Sequence, residues 1–88
     1  MYSLAIKESL DKKFKKLAKK DKEMLRIIDR KVNDILANSH RFKPLRKPLQ
    51  NKRRVHIAGS FVLIYSVNEK EKVVTLLDFD HHDNIYES

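Results

Sequence analysis

Apolar and polar residues alternate at the start of the chain. Tyr2, Leu4 and Ile6 occupy every second position. A period of two is typical of a strand with one buried face. The pattern therefore predicts a strand over residues 2–6.

A helical period follows this strand. Leu10, Phe14 and Leu17 lie at i, i+4 and i+7, a spacing that puts them on one stripe of a helix. Ser9 is a candidate N-cap. We predict a first helix over residues 8–20, with its apolar stripe turned toward a sheet.

A second helix is predicted over residues 22–38. Asp21 is suited to cap it, because a carboxylate can accept hydrogen bonds from the free N–H groups of a first turn. Its apolar stripe is formed by Leu25, Ile28, Val32, Ile35 and Leu36. The two helices together predict a helical hairpin that covers one face of a sheet.

Three further strands are predicted in the second half of the chain. They run over residues 53–58, 61–67 and 73–79, and the only glycine, Gly59, breaks the first from the second. The apolar run from Phe61 to Tyr65 favours a central position in the sheet. The polar residues after it predict a hairpin loop, and the chain end after residue 79 is strongly polar.

The element order is thus β-α-α-β-β-β, which is typical of an α+β domain. We expect an antiparallel-dominated sheet with the helical hairpin on one face and the other face open. The 88 residues suffice for one core, so residues 1–88 are predicted to form a single domain.

Composition excludes several classes of site. The chain has no cysteine, which removes disulfides, thiolate zinc sites and cysteine nucleophiles. A single glycine cannot form a phosphate-cradling loop. The longest apolar run is far shorter than the roughly 20 residues of a membrane span, and the start lacks a signal-peptide pattern. We expect a soluble, cytoplasmic protein with no membrane association.

The charge is unevenly distributed. Residues 1–54 carry 18 Lys and Arg against 6 Asp and Glu, a net charge of +12, whereas residues 55–88 carry 2 against 6, or −4; the whole chain is +8. Such asymmetry favours a polyanionic partner, nucleic acid above all. A solvated basic surface without a partner is the alternative. The lysines of the first helix are spread around it, so there we expect a solvated face rather than a pocket.

The densest basic stretch runs from Arg41 to Arg54. It includes the connector over residues 39–52, where Pro44 and Pro48 disfavour a helix. Positive charge beside a histidine suits a phosphodiester, because it binds the backbone and stabilises the charge that develops on phosphorus. The candidates for phosphate and RNA binding are Lys43, Arg46, Lys47, Lys52, Arg53 and Arg54.

His56 is a candidate general acid or base. Its neighbours Val55 and Ile57 should face the helices, so His56 should face away from them. An imidazole titrates near neutral pH and suits proton transfer. The alternative is an ordinary surface histidine on a strand.

The polar end of the chain carries a second candidate group. Asp80, His81, His82 and Asp83 precede Tyr86. Three interpretations stay open: a divalent metal site, a solvated chain end, or an acid–base pair in which His82 and Tyr86 are brought beside His56.

The string from Arg53 to Tyr65, followed by a polar hairpin and a strand ending in His82-Asp83-Asn84-Ile85-Tyr86, resembles the RelE/ParE toxin superfamily. The similarity is greatest to the YafQ-like branch of the RelE-type mRNA interferases. The opening strand, the lysine-rich helix and the Pro-Leu connector fit the same family, so the resemblance covers nearly the whole chain.

The resemblance implies the toxin of a type II toxin–antitoxin system, with a RelB-like antitoxin encoded alongside. It implies a ribosome-dependent endoribonuclease that cuts mRNA in the A site by attack of a 2′-hydroxyl, without a metal or other cofactor. His56, His82 and Tyr86 take the positions of catalytic residues in the family. A basic or histidine residue of the connector falls on Lys43 or Lys47.

The sequence also departs from the family pattern. Val62 stands where many RelE proteins carry arginine, and Arg54 and Ser60 stand where the YafQ-like branch has acidic residues. Two alternatives remain open: a gyrase-directed, ParE-like toxin without nuclease activity, and a non-catalytic basic RNA-binding module. The presence of both His56 and His82 argues against the gyrase-directed branch.

Overall fold

The computed structural model describes residues 2–38 and 52–86. In chain order the elements are β1 (Ser3–Ile6), α1 (Glu8–Lys20), α2 (Lys22–Ala37), β2 (Lys52–Ile57), β3 (Phe61–Asn68), β4 (Val73–His81) and α3 (His82–Tyr86). The predicted order of strands and helices is confirmed. The short helix α3 is an addition, because the sequence pattern predicts only a polar chain end there. Most of the predicted connector lies outside the described residues.

The four strands form one mixed sheet in the order β1-β4-β3-β2. The pairs β2–β3 and β3–β4 are antiparallel, whereas β1 runs parallel to β4. The sheet is therefore antiparallel-dominated, as expected, and β3 is central. The first strand of the chain pairs with the last one, because the helical hairpin carries the chain across between β1 and β2.

The two helices differ in how they begin. Asp21 caps α2, since its side chain accepts a hydrogen bond from the backbone N–H of Met24 at 3.0 Å. The predicted cap of α1 is wrong: Ser9 lies inside the helix, Lys7 occupies the N-cap position, and no side chain caps it.

Both helices pack their apolar stripes on one face of the sheet. The core between them contains Leu10, Phe14, Ile28, Val32, Ile35, Val55, Ile57, Leu63, Tyr65, Val74, Leu76 and Phe79. The opposite face, which we call the distal face, is less open than predicted. Val62 and Ile64 point to it and are only 0 % and 7 % exposed, so β3 is buried on both sides.

The outer edge of β4 is capped by side chains. β1 ends at Ile6, opposite Leu76, but β4 continues to His81. Beyond β1, the Phe79 amide donates to Asp78 Oδ1 at 2.8 Å and the Phe79 carbonyl accepts from Lys13 Nζ at 2.8 Å. These contacts satisfy backbone groups that a neighbouring strand would otherwise bind.

No helix within the described ranges combines the length and apolar character that a membrane crossing requires.

Candidate active site on the distal face

His56 lies near the end of β2 on the distal face. The alternation along β2 buries Val55 and Ile57 among the helices and leaves His56 exposed. His56 is paired in register with Val62 of β3, which is paired in turn with Asp80 of β4. The predicted orientation of His56 is therefore confirmed.

The turn between β2 and β3 contacts the start of α3. Residues Ala58 and Gly59 both adopt positive φ, at 52° and 81°, a region that glycine enters without the steric cost paid by other residues. The turn brings the carbonyl of Ser60 to the start of α3, where it accepts from the His82 amide at 2.8 Å. A backbone hydrogen bond thus places His82 at the end of the β2–β3 hairpin.

This arrangement brings the rings of His56 and His82 together. Their centroids are 6.0 Å apart and the ring planes are inclined by 20°, so the two imidazoles are stacked. Asp83 Oδ1 lies 3.6 Å from His82 Nδ1. Both side chains are well exposed, so this pairing contributes little to stability. Two imidazoles on one surface provide an acid and a base within reach of one bound group.

His81 has a different environment from His82. Its ring meets Phe61 edge-on, with centroids 5.6 Å apart, and its Nδ1 accepts a hydrogen bond from the Asp83 amide at 3.3 Å. His81 therefore helps to cap the first turn of α3. Among the described residues, no group of three or more His, Asp and Glu side chains is arranged to hold a metal ion.

The described basic residues of β2 divide between the two faces of the sheet. Because side chains alternate along a strand, Lys52 and Arg54 share the distal face with His56, whereas Arg53 belongs to the face of Val55. Arg54 is two residues from His56, about 7 Å along the strand. The other basic candidates, Lys43, Arg46 and Lys47, lie outside the described residues.

Tyr86 is the last residue of α3. The backbone of this helix places Tyr86 one turn after His82. Its side chain lies outside the described part of the structure.

The lysines of α1 are exposed, in keeping with the predicted solvated face, and three of them border an open groove. Lys13, Lys16 and Lys20 border a cavity of about 300 Å³ whose other lining residues include Leu17, Phe61 and Phe79. The groove lies beside the end of the sheet that carries α3. It adds a second basic surface to the one on β2.

Sequence reasoning missed a polar pair at the junction of β4 and α3. Asn84 Nδ2 donates to Asp80 Oδ1 at 3.1 Å, and the His81 amide donates to the same oxygen at 2.7 Å. These hydrogen bonds, the Asn84 one first, hold the pKa of Asp80 below its ordinary value. No helical or strand period marks this contact in the sequence, because Asp80 belongs to β4 and Asn84 to α3.

A family model described as the ParE toxin of type II toxin–antitoxin systems matches residues 3–86. A protein of Methanocaldococcus jannaschii named "Putative toxin RelE4" is 51% identical over 86 residues, which are 98% of this chain and 92% of that protein.

Three solved structures share the fold. They are a metal-bound toxin from Helicobacter pylori (TM-score 0.79, 21% identity, 98% and 100% of the two chains covered), YafQ from E. coli (0.75, 14%, 98% and 99%), and the E. coli toxin RelE bound to a peptide of the antitoxin RelBc (0.72, 21%, 98% and 90%). At these identities the likeness shows the fold alone.

Proposed function

The chain belongs to the ParE toxin family of type II toxin–antitoxin systems, within the RelE/ParE superfamily, and we propose that it is a ribosome-dependent endoribonuclease that cleaves mRNA in the A site. The observation that carries this proposal is the pair of imidazoles, His56 and His82, 6.0 Å apart on a face that also carries Arg54. A toxin that acts by protein binding alone has no need of such a pair.

The proposed reaction is a transesterification. One imidazole removes the proton of a ribose 2′-hydroxyl, and the 2′-oxygen attacks the adjacent phosphorus. The bond from phosphorus to the 5′-oxygen breaks, and the other imidazole donates a proton to that oxygen. His56 and His82 divide these two transfers between them. The products are a 2′,3′-cyclic phosphate and a 5′-hydroxyl, so protons balance without a further reactant.

Basic side chains stabilise the charge in this reaction. Negative charge grows on the phosphate oxygens as the 2′-oxygen attacks, and positive groups that are already in place lower the barrier. Lys52 and Arg54 share the distal face with the histidines and are the described candidates for this role. Lys43, Arg46, Lys47 and Arg53 are proposed to bind the RNA backbone, and Tyr86 to stack on a base or to donate a proton.

Because two side chains carry out both proton transfers, no step of this route calls for a metal ion. The chemistry of the ends tests the attack by the 2′-hydroxyl. We expect 2′,3′-cyclic phosphate ends on the upstream fragments, whereas direct attack by water would leave none. Fragments that carry only 5′-phosphate ends would contradict the route.

The decisive test compares two adjacent histidines in an in vitro translation reaction with primer extension. We expect His82→Ala to lower the cleavage rate by about 10²–10⁴-fold, the usual contribution of one acid–base group. His81→Asn is the matched control, because asparagine keeps an acceptor for the Asp83 amide, and it should cleave like the wild type. Identical mRNA after incubation with wild type and His82→Ala would refute the proposal.

A gyrase-directed toxin is the second candidate, since the matching family model is that of ParE toxins. A supercoiling assay with purified gyrase separates the two activities. If the wild type inhibits gyrase and leaves mRNA intact, the second candidate holds. A non-catalytic RNA-binding module would differ from both, because His56→Ala and His82→Ala would change neither RNA binding nor toxicity.

We propose an antitoxin as the cellular partner, in keeping with the RelE toxin that was solved with an antitoxin peptide. The ribosome and its mRNA are the proposed target. Co-expression with the product of the neighbouring reading frame tests the first partner. We expect relief of growth arrest and co-purification of the two chains; a neighbour that does neither is not the antitoxin.

A further inference from the structure

The helix that carries His82 is too short to be stable by itself. α3 has five residues, whereas isolated helices below about 12 residues are marginal in water. Its position must therefore come from contacts with the rest of the fold. The His82 amide donates to Ser60 at the start of α3, and Asn84 donates to Asp80 half a turn later.

Asp80 is well placed to anchor a helix. It belongs to the β4–β3 ladder, opposite Val62, and its Oδ1 also accepts from the His81 amide. Its second oxygen, Oδ2, lies 3.8 Å from Lys13 Nζ, and Lys13 is further held by the Phe79 carbonyl. The carboxylate thus connects α3 both to the sheet and to α1.

We propose that Asp80 and Asn84 are positioning residues that hold His82 beside His56, a role that rests on the proposed ribonuclease. Neither residue needs to touch the RNA. The Asp80–Asn84 hydrogen bond joins the residue two positions before His82 to the residue two positions after it, which restricts the imidazole to the 6.0 Å separation from His56. Small displacements of a reacting group are costly, since a misplacement of 1 Å can lower a rate about 10²-fold.

Asp78 supplies a control within the same strand. Like Asp80, it accepts from the amide of the following residue, at 2.8 Å, and it approaches Lys13, at 3.5 Å. Among the described contacts, Asp78 has none with α3. Asp78→Ala therefore removes the capping of the strand edge alone, whereas Asp80→Ala removes the capping and the anchor. Asn84→Ala removes the anchor alone.

The first experiment needs no enzymatic activity. The imidazole resonances of His82 in the full-length chain are recorded by NMR, with His56→Ala as the reference for loss of the neighbouring ring current. We expect Asn84→Ala and Asp80→Ala to move the His82 signals toward that reference, and Asp78→Ala to leave them in place. Unchanged His82 signals in Asn84→Ala would overturn the proposal.

The second experiment measures cleavage. We expect Asn84→Ala to lower the rate about 10–100-fold, with a thermal midpoint close to that of Asp78→Ala. In a His82→Ala background the same substitution should have no further effect, because the anchor acts through His82. A full additional loss in that background would contradict the positioning role.

A double substitution provides the rescue. In Asp80→Asn/Asn84→Asp the amide and the carboxylate exchange places, so a hydrogen bond between the two positions and an acceptor for the His81 amide are both retained. Asn84→Asp alone places two carboxylates together and should displace the His82 signals. We expect the double variant to restore these signals to their wild-type positions. If the variants shift the His82 signals as expected but the wild type cleaves no mRNA, the ribonuclease proposal fails and the positioning role stands.

Discussion

His56 and His82 lie side by side, but different kinds of structure hold them. His56 is fixed by the ladder between β2 and β3 and by two buried neighbours in the core, Val55 and Ile57. His82 is fixed by a turn carbonyl and by one polar pair at the start of a five-residue helix. One half of the candidate site therefore shares the stability of the whole domain, and the other half depends on local hydrogen bonds. Changes to the two halves should accordingly affect different measurements.

The largest effect is expected from His56→Ala. The side chain is exposed, so the free energy of unfolding should change by no more than about 0.5 kcal/mol, whereas cleavage should fall about 10²–10⁴-fold. Urea unfolding and primer extension measure the two quantities. Arg53→Gln, on the other face of the same strand, is the comparison, with a much smaller loss. Equal losses for the two variants would show that the distal face is not the reaction surface.

Removal of core packing beneath His56 should give the next largest effect. Ile57 is fully buried, so Ile57→Ala should lower the free energy of unfolding by about 2–5 kcal/mol. Leu4→Ala is the matched control, because Leu4 is 42 % exposed and should cost less than about 1 kcal/mol. Urea unfolding measures both. Equal stability of the two variants would contradict the support of His56 by the core.

Substitutions in the turn between β2 and β3 should have an intermediate effect on stability. A side chain at Gly59 would meet nothing within 4 Å, so Gly59→Ala acts through its positive φ alone and should cost about 1–2 kcal/mol. Ala58→Gly is the control of opposite sign, because Ala58 already bears the strain of a positive φ. Thermal unfolding should rank Ala58→Gly above wild type and wild type above Gly59→Ala. The reverse order would rule out backbone strain in this turn.

The smallest effect concerns acid pH. The hydrogen bonds from Asn84 and His81 hold the pKa of Asp80 below its ordinary value of 3.8. A carboxyl group whose pKa is lowered by folding contributes stability above its unfolded pKa, and that contribution is lost as pH falls through the lowered value. Asp80 is partly exposed, so screening keeps the effect small.

We therefore expect the NMR signals of α3 to leave their native positions as pH falls below the ordinary carboxyl range, with Lys13 and His81 as the charged groups nearest to Asp80. In Asn84→Ala these signals should already be displaced at neutral pH and should move less on acidification. An identical pH response in the two proteins would remove Asp80 as the group that titrates.

The sequence predicts much of the His56 half of the candidate site, which depends on the core. Alternation along β2 gives the orientation of His56, since Val55 and Ile57 are apolar and flank it. The apolar stripes give both helices, and Asp21 gives the start of the second. These features are local, because a period or a cap is visible within a few residues. Burial of the apolar face then stabilises the helix or strand that the period predicts.

The sequence does not predict the His82 half of the candidate site in the same way. The segment from Asp80 to Tyr86 is short and polar, so it has no apolar period that would reveal α3. The parallel pairing of β1 with β4 depends on how distant segments meet, which no local pattern records. The burial of Val62 and Ile64 on the distal face depends on their tertiary surroundings for the same reason. The resemblance to known toxins gave His82 as a candidate, but not the Asp80–Asn84 pair that holds it.

The parallel pairing of β1 with β4 has a consequence for the order of events during protein synthesis. Ser3 is in register with Val73, so the first strand has no partner until about seventy further residues have been made. Such distant pairing is slow, because a long loop must close before its contacts form. At about 5–20 residues per second, the incomplete chain spends several seconds with β1 unpaired. A cell that makes this chain thus has an interval in which β1 has been synthesised and the strand that pairs with it has not.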